Sequence, residues 1–261
     1  MRADQLLVER GLASSRAQAQ RLIASGVRWR LGAGAAQPWK PVARNGDDLP
    51  DAAEIELLDL AEARYVSRGG LKLEGALRQS GVAVAGRDCL DVGQSTGGFT
   101  DCLLQHGAAR VIGVDVGQGQ LHPAMRADGR VRCIEGVNAR ALSADHLAEG
   151  SGADAPLHFD LIVGDLSFIS LTLVLPALVP FLAPGGELLM LVKPQFELQP
   201  GQVGKGGIVR DEALYAVVEE RLRQSCAGLG LSVRRWFDSP IAGGDGNGEF
   251  FLHATPPEAT E

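Results

Sequence analysis

The sequence predicts an α/β fold: a doubly wound, mostly parallel sheet preceded by a small α+β unit. Three observations carry that expectation. From Gly69 onward, helical and strand patterns alternate repeatedly, as they do when helices cover both faces of a parallel sheet. The strand-like run DCLDVG opens directly into the glycine-rich turn QSTGG and then a helix-like stretch, the arrangement that places a ligand at the carboxyl edge of such a sheet. Finally, residues 1–44 differ in charge from the remainder of the chain. Arg2, Arg10, Arg16, Arg21, Arg28, Arg30, Lys40 and Arg44 stand there against only Asp4 and Glu9, a net +6 in a chain whose total is −7. Such asymmetry marks a separate unit with an anionic partner.

In chain order, apolar spacing predicts a helix in ADQLLVERGL, stopped at Gly11. A second follows in SRAQAQRLIASG, capped by Ser14–Ser15 and stopped at Gly26. Leu22 and Ile23 point inward from it, with Arg16, Gln20 and Arg21 toward its outer faces. VRWRL reads as a short β segment, Gly32 to Pro50 as loop, and EIELL (54–58) as an alternating strand. These make a first domain of residues 1–60. A linker is expected at 61–68 and a second domain at 69–261. Within it, GGLKLEGALRQS, GGFTDCLLQHG, SLTLVLPALVPFLAPGG and EALYAVVEERLRQSCAGLG read as helices. DCLDVG, ARVIGVDVG, VRCIEG, HFDLIVGDLS, ELLMLVKP, LSVRRWFDSP and GEFFLHAT read as strands.

Composition sets outer bounds. With 45% hydrophobic and 22% charged residues, the 261-residue chain has ample apolar content to fold. Cys89, Cys102, Cys133 and Cys226 are isolated and read as reduced core residues of a cytoplasmic protein. The five histidines stand apart, so no metal is expected. MRADQLLVERGL does not read as a signal peptide. The longest apolar stretch, Leu171–Ala183, is interrupted by Pro176 and Pro180 and falls short of the ~20 residues that cross a bilayer. No membrane partner is expected.

DVGQSTGGFTD (91–101) admits several chemistries. A phosphate-binding P-loop needs Lys where Phe99 stands, and a dinucleotide loop needs Gly where Ser95 stands. A serine hydrolase elbow, G-x-S-x-G with Ser95 as nucleophile, could draw on Asp165 and His253 as acid and base, but no separate oxyanion stretch is present. A nucleoside-cofactor loop accounts for more residues. Asp91 ends the strand, and Gly93, Ser95, Gly97, Gly98, Phe99 and Thr100 form the turn and helix start, where a ligand can approach backbone. Asp115, at the end of the next strand, suits ribose hydroxyls, and Asn138, after the third, suits an adenine edge. A nucleoside with an amino-acid carboxylate and no phosphate describes S-adenosylmethionine.

The blocks YVSRGGLKLEGAL, LDVGQSTGGFTD, FDLIVGDLSFISL, LVKPQFE and GKGGIVRD, in that order, resemble the TlyA/haemolysin A family. These are ribosomal RNA cytidine 2′-O-methyltransferases with an S4 RNA-binding module before an FtsJ-like domain. The resemblance covers nearly the whole chain. It implies a Rossmann-like doubly wound methyltransferase domain, S-adenosylmethionine as donor, and ribosomal RNA or ribosomal subunits as partner. It also implies the catalytic set Lys72, Asp165, Lys193 and Glu249. In that reading Lys193 is the base, or the cation facing the alkoxide, Asp165 orients it, and Glu249 holds Lys72. Arg16, Arg21, Arg28 and Arg30 would contact RNA phosphates. Two features depart from the family pattern: Gln94 stands where a small residue is expected, and VRWRLGAGAAQP is longer than the usual end of an S4 module. The chain's extent resembles the shorter family form, associated with a large-subunit cytidine, with the small subunit as a further acceptor. The alternatives are a serine hydrolase through Ser95 and a non-catalytic RNA-binding or haemolysin-type protein. Asp165 is followed by Leu-Ser-Phe rather than a Pro-Pro-Tyr type of loop, which favours an oxygen over an amino acceptor.

Overall fold

The computed structural model describes residues 1–32, 38–58, 63–151, 157–243 and 246–257. Contacts divide the chain into two compact units, Met1–Leu71 and Lys72–Glu261. The expected boundary at residue 60 and the start of the expected linker lie outside the described residues, as does the middle of VRWRLGAGAAQP.

The first unit contains α1 (Ala3–Glu9), α2 (Arg16–Gly26), β1 (Val27–Leu31), β2 (Lys40–Pro41) and β3 (Ala53–Leu57). The Ser15 side chain accepts from Gln18 N and caps α2, satisfying one of the amides a helix start leaves open. Gly11, just past α1, adopts φ +68°, a conformation in which a Cβ is costly. The strands form an antiparallel sheet in the order β2-β1-β3. Leu6, Leu7, Ala19, Leu22, Ile23 and Val27 build its core. The two-residue β2 lies within the stretch expected to be loop.

Helix α3 (Gly69–Ser80) starts in the last residues of the first unit and runs into the second, which continues with β4 (Asp88–Val92), α4 (Gly98–Gln105), β5 (Arg110–Asp115), α5 (Pro123–Ala127) and β6 (Val131–Glu135). The second unit goes on with α6 (Ala144–Ser151), β7 (Phe159–Gly164), α7 (Leu171–Leu178), β8 (Leu182–Val192) and α8 (Pro194–Glu197). It closes with α9 (Ala213–Gly228), β9 (Ser232–Asp238) and β10 (Phe250–Thr255). Seven strands make one sheet in the order β6-β5-β4-β7-β8-β10-β9. The pairs from β6 to β8 are parallel, whereas β10 runs antiparallel to both of its neighbours. The central strands are nearly fully buried, as expected for a sheet covered on both sides.

One expected element is shorter. The helix read through Gly186 ends at Leu178, followed by a 3-10 turn over Val179–Phe181, and β8 begins at Leu182. Pro176, inside α7, and Pro180, in the 3-10 turn, each remove an amide donor, and the helix goes only two residues beyond the first of them. Phe159 pairs with Leu182 and Leu161 with Glu187, so residues 183–186 bulge from the ladder. The short helices α5, α6 and α8 were not visible in the sequence pattern; none exceeds eight residues.

Candidate active site

The strand order reverses between β4, with β5 on one side, and β7 on the other, and the loops leaving their carboxyl ends border one cavity. In such sheets ligands bind at this switch point. The cavity, about 410 Å³, is lined by Gly93, Ser95, Asp115, Asn138 and Asp165 among the expected residues. Val116, Gln120, Leu166, Ser167 and Phe168 join them. Gly93 has φ +83°, and a Cβ there would lie 2.7 Å from the Asp165 carbonyl oxygen. Its absence is therefore a steric requirement. The Asp115 carboxylate accepts from Ser95 N and Gly117 N, both at 2.7 Å, which fixes it at the end of β5.

The remaining loop residues lie outside this lining. Asp91 is fully buried and accepts from Thr100 Oγ1 at 2.7 Å, while Gln94 Nε2 donates to the same hydroxyl at 2.9 Å. Burial pushes the Asp91 carboxyl up to about 7, against the Thr100 hydrogen bond. Gln94 is accommodated because β5 carries Gly113 opposite it, where a Cβ would sit 1.9 Å from the Gln94 amide carbon. Gly97, at φ +96°, starts α4, and a Cβ there would meet Leu121 at 2.8 Å. Gly98 opens the same helix, and Phe99 is buried with its ring stacked on Phe251. This half of the loop supports the turn from behind.

A second cavity of about 340 Å³ adjoins the first through Ser167 and Phe168. Its lining includes Lys72, Lys193, Phe196, Gly206, Gly207 and Glu249. Lys72 Nζ donates to Glu249 Oε2 at 2.5 Å. Lys193 Nζ lies 2.6 Å from Asp165 Oδ1 and donates to Ser167 Oγ at 2.9 Å. Burial pushes the Glu249 carboxyl upward, opposed by the Lys72 hydrogen bond and charge. Lys72 comes from α3, Asp165 follows β7, Lys193 follows β8 and Glu249 precedes β10. The fold thus collects four residues separated by up to 177 positions. Phe168, 89% exposed and at φ +65°, leans on Phe196 with ring centroids 5.1 Å apart. A bulky side chain in the left-handed region is uncommon and strained. Sequence reasoning missed Phe168; its only trace is an aromatic two residues beyond the Asp-Leu pair in VGDLSF.

Ser95, Asp165 and His253 do not form a hydrolase triad. Ser95 has the strained φ of an elbow, +47°, but its hydroxyl donates to Gln120 Oε1 at 3.3 Å. His253 Nε2 is bonded instead to Glu187 Oε2 at 2.7 Å.

In the first unit Arg16 is exposed and reaches back to the buried Asp4 at 2.9 Å, and Arg2 does so at 3.0 Å. The two guanidiniums hold the Asp4 carboxyl well below the usual carboxylate range. Arg21 is half-buried on α2. Arg28 pairs with Glu56 at 2.5 Å and Arg30 with Glu54 at 2.6 Å. Both also lie over the Trp39 ring, at 5.0 and 4.5 Å.

Known proteins fit this geometry. Residues 65–255 match the FtsJ-like methyltransferase family and residues 1–26 match the S4 domain. The chain belongs to the FtsJ-like methyltransferases. It is 43% identical, over 96% of its length and 88% of the relative's, to the 16S/23S rRNA (cytidine-2′-O)-methyltransferase TlyA of Mycobacterium tuberculosis. It is 32% identical to the 23S rRNA (cytidine-2′-O)-methyltransferase TlyA of Campylobacter jejuni, over 75% of this chain and 73% of that one. A solved chain from Streptococcus thermophilus, described as a hemolysin, superposes with a TM-score of 0.73 at 39% identity, covering 99% of this chain and 89% of its own. An FtsJ-like methyltransferase draws its methyl group from S-adenosylmethionine. The residues present fit that group: the first cavity has the size of a small-molecule site, the missing Cβ at Gly93 opens it toward Asp165, and a carboxylate closes the β5 end. Among the described residues, no helix is long and apolar enough to cross a membrane, and no group of three or more His, Cys, Asp or Glu could hold a metal ion.

Proposed function

We propose that this FtsJ-like methyltransferase acts in the cytoplasm and methylates the ribose 2′-hydroxyl of a cytidine in ribosomal RNA. The observation that carries the reading is the junction, at Ser167 and Phe168, between a donor-sized cavity that Asp165 lines and a cavity lined by Lys72, Lys193 and Glu249, with the Lys193–Asp165 pair bridging the two. The nucleotide and the acceptor follow the names of the two TlyA relatives. Large-subunit RNA is common to both names and is favoured, with the small subunit as a further acceptor.

Bound S-adenosylmethionine supplies a methyl group already activated by its sulfonium charge. The protein's task is to align a weak nucleophile and manage its proton. Lys193, held by Asp165 and Ser167, faces the acceptor cavity: as the neutral amine it takes up the hydroxyl proton, and as the ammonium it stabilises the developing alkoxide while the proton leaves to solvent. Asp165, on the first cavity, fixes that lysine at the boundary between donor and acceptor. Glu249 holds Lys72 as the second ammonium. Gly93 and Ser95 flank the donor, Asp115 takes its ribose hydroxyls, and Asn138 addresses the adenine. Asp91, Gly97, Gly98, Phe99 and Thr100 act through the loop's shape. The exposed ring of Phe168 offers an acceptor base a stacking surface.

The S4 module anchors RNA. Arg16 and Arg21 are its first phosphate contacts. Arg28 and Arg30 are neutralised by their glutamates and contribute less. Mapping 2′-O-methyl groups on ribosomal RNA from cells with and without this gene tests the reading. One cytidine that loses its methyl in the deletion supports it; identical maps refute it.

A further inference from the structure

The block GKGGIVRD resembles the family, yet the donor and acceptor chemistry leaves it without a role. In the structure its loop forms one wall of the acceptor cavity. Gly206 and Gly207 line that cavity beside Lys72, Lys193 and Glu249, and both have positive φ, +78° and +81°. A Cβ on either glycine would meet nothing within 4 Å, so neighbouring atoms do not demand glycine; the left-handed backbone and the open face do. Lys205, directly before them, is exposed.

The loop is also held in place. Asn247, 1% exposed, donates from Nδ2 to Gly207 O at 2.9 Å and accepts from Val209 N at 2.9 Å. Gly204 N closes the loop onto Ile208 O at 2.9 Å. Asn247 stands two residues before Glu249, so one segment fixes both this wall and the carboxylate that holds Lys72. Gly207 N–H donates within the loop to Gly204 O at 3.1 Å, so the wall offers an anion close approach rather than a set of amide donors, and the exposed Lys205 ammonium beside it supplies the attraction.

We infer that the Lys205–Gly206–Gly207 loop grips a backbone phosphate of the acceptor RNA next to the target ribose. The glycines let the sugar–phosphate chain lie against the wall. Lys205 supplies the opposing charge, and Asn247 keeps the loop in register with the two lysine–carboxylate pairs. This rests on the methyltransferase reading and adds the substrate contact that aligns the hydroxyl.

The test compares wild-type protein with Lys205→Glu, Lys205→Arg and Arg78→Glu in steady-state methylation of ribosomal RNA and in RNA binding across a salt series. Arg78 is exposed on α3, outside both cavity linings, and controls for a general loss of positive charge. Lys205→Glu is expected to raise KM for RNA at least tenfold, with S-adenosylmethionine affinity unchanged. It should also lower the slope of log affinity against log salt by roughly 0.7–0.9, the value of one phosphate contact. Lys205→Arg should stay near wild type. A Lys205→Glu KM within twofold of wild type overturns the inference, as does an equal rise in Arg78→Glu. If the wild-type protein itself methylates no ribosomal RNA, the methyltransferase reading fails first, and that result is distinct from either of these.

Discussion

Lys193 Nζ lies 2.6 Å from Asp165 Oδ1, and the two residues stand on different cavities that meet at Ser167 and Phe168. An ammonium fixed at that boundary can reach an acceptor hydroxyl without occupying the donor's place. Lys193→Ala is therefore expected to lower kcat by roughly 10²–10⁴-fold, the usual contribution of a positioned acid–base group. Isothermal titration with S-adenosylmethionine should give an affinity within about threefold of wild type. Full activity in this variant would remove Lys193 from the chemistry.

Glu249 is expected to set the acid side of the pH profile. Its ion pair with Lys72 needs the carboxylate, and burial raises the carboxyl above its ordinary value. As pH falls, the pair is thus lost earlier than a solvent-exposed Glu would lose it. The acid limb of kcat/KM should sit higher than that set by an ordinary glutamate, and Glu249→Gln should lower the rate at least tenfold and flatten that limb. A limb of unchanged position in Glu249→Gln would assign it to another group.

Asp91 gives a stability prediction of opposite character to a surface ion pair. Its folded-state carboxyl is raised to about 7 by burial, so folding favours the protonated form. Its stability contribution is full below the unfolded-state value near 3.8 and is lost as pH rises through about 7. Asp91→Asn keeps an acceptor for Thr100 and cannot ionise. The melting temperature of Asp91→Asn relative to wild type should rise between pH 5 and pH 8; a constant difference would contradict the assignment.

Asp115 holds two loop amides with its two oxygens and is the proposed ribose acceptor. Asp115→Asn retains one oxygen and removes the charge. It should weaken S-adenosylmethionine binding about tenfold, equivalent to about 1.4 kcal/mol, measured by titration. Unchanged affinity would place the ribose elsewhere.

In the first unit, Arg16 both faces solvent and pairs with the buried Asp4. Replacing Arg16 and Arg21 by Gln should reduce RNA affinity most strongly at low salt. Thermal melting of each single variant should show a larger stability loss for Arg16→Gln, which strips a buried carboxylate of a partner. RNA binding insensitive to both salt and these changes would exclude the contact.

The long-period features were legible in the sequence because they follow from burial. Alternating strands and helices, the loop after Val92 and the acidic end of β5 all arise from a sheet covered on both faces. Lys72, Asp165, Lys193 and Glu249 were located by motif resemblance; nothing in their spacing alone shows that α3 and the segment before β10 converge. Gln94 could be understood only with Gly113 opposite it, a contact between neighbouring strands. Phe168 gave no periodic signal, because an exposed ring on a strained loop belongs to neither a helix face nor a strand face. The end of α7 was misjudged because an apolar run of this length suits helix and strand alike, and the two prolines decide the break.

The most direct measurement is product analysis after incubating purified protein with ribosomal RNA and isotopically labelled S-adenosylmethionine, then digesting the RNA to nucleosides for mass spectrometry. The label should be recovered in 2′-O-methylcytidine and its rate of incorporation should fall at least about a hundredfold with Lys193→Ala. Label on a base nitrogen, or none in RNA under conditions where the donor binds, would contradict ribose methylation by this chain.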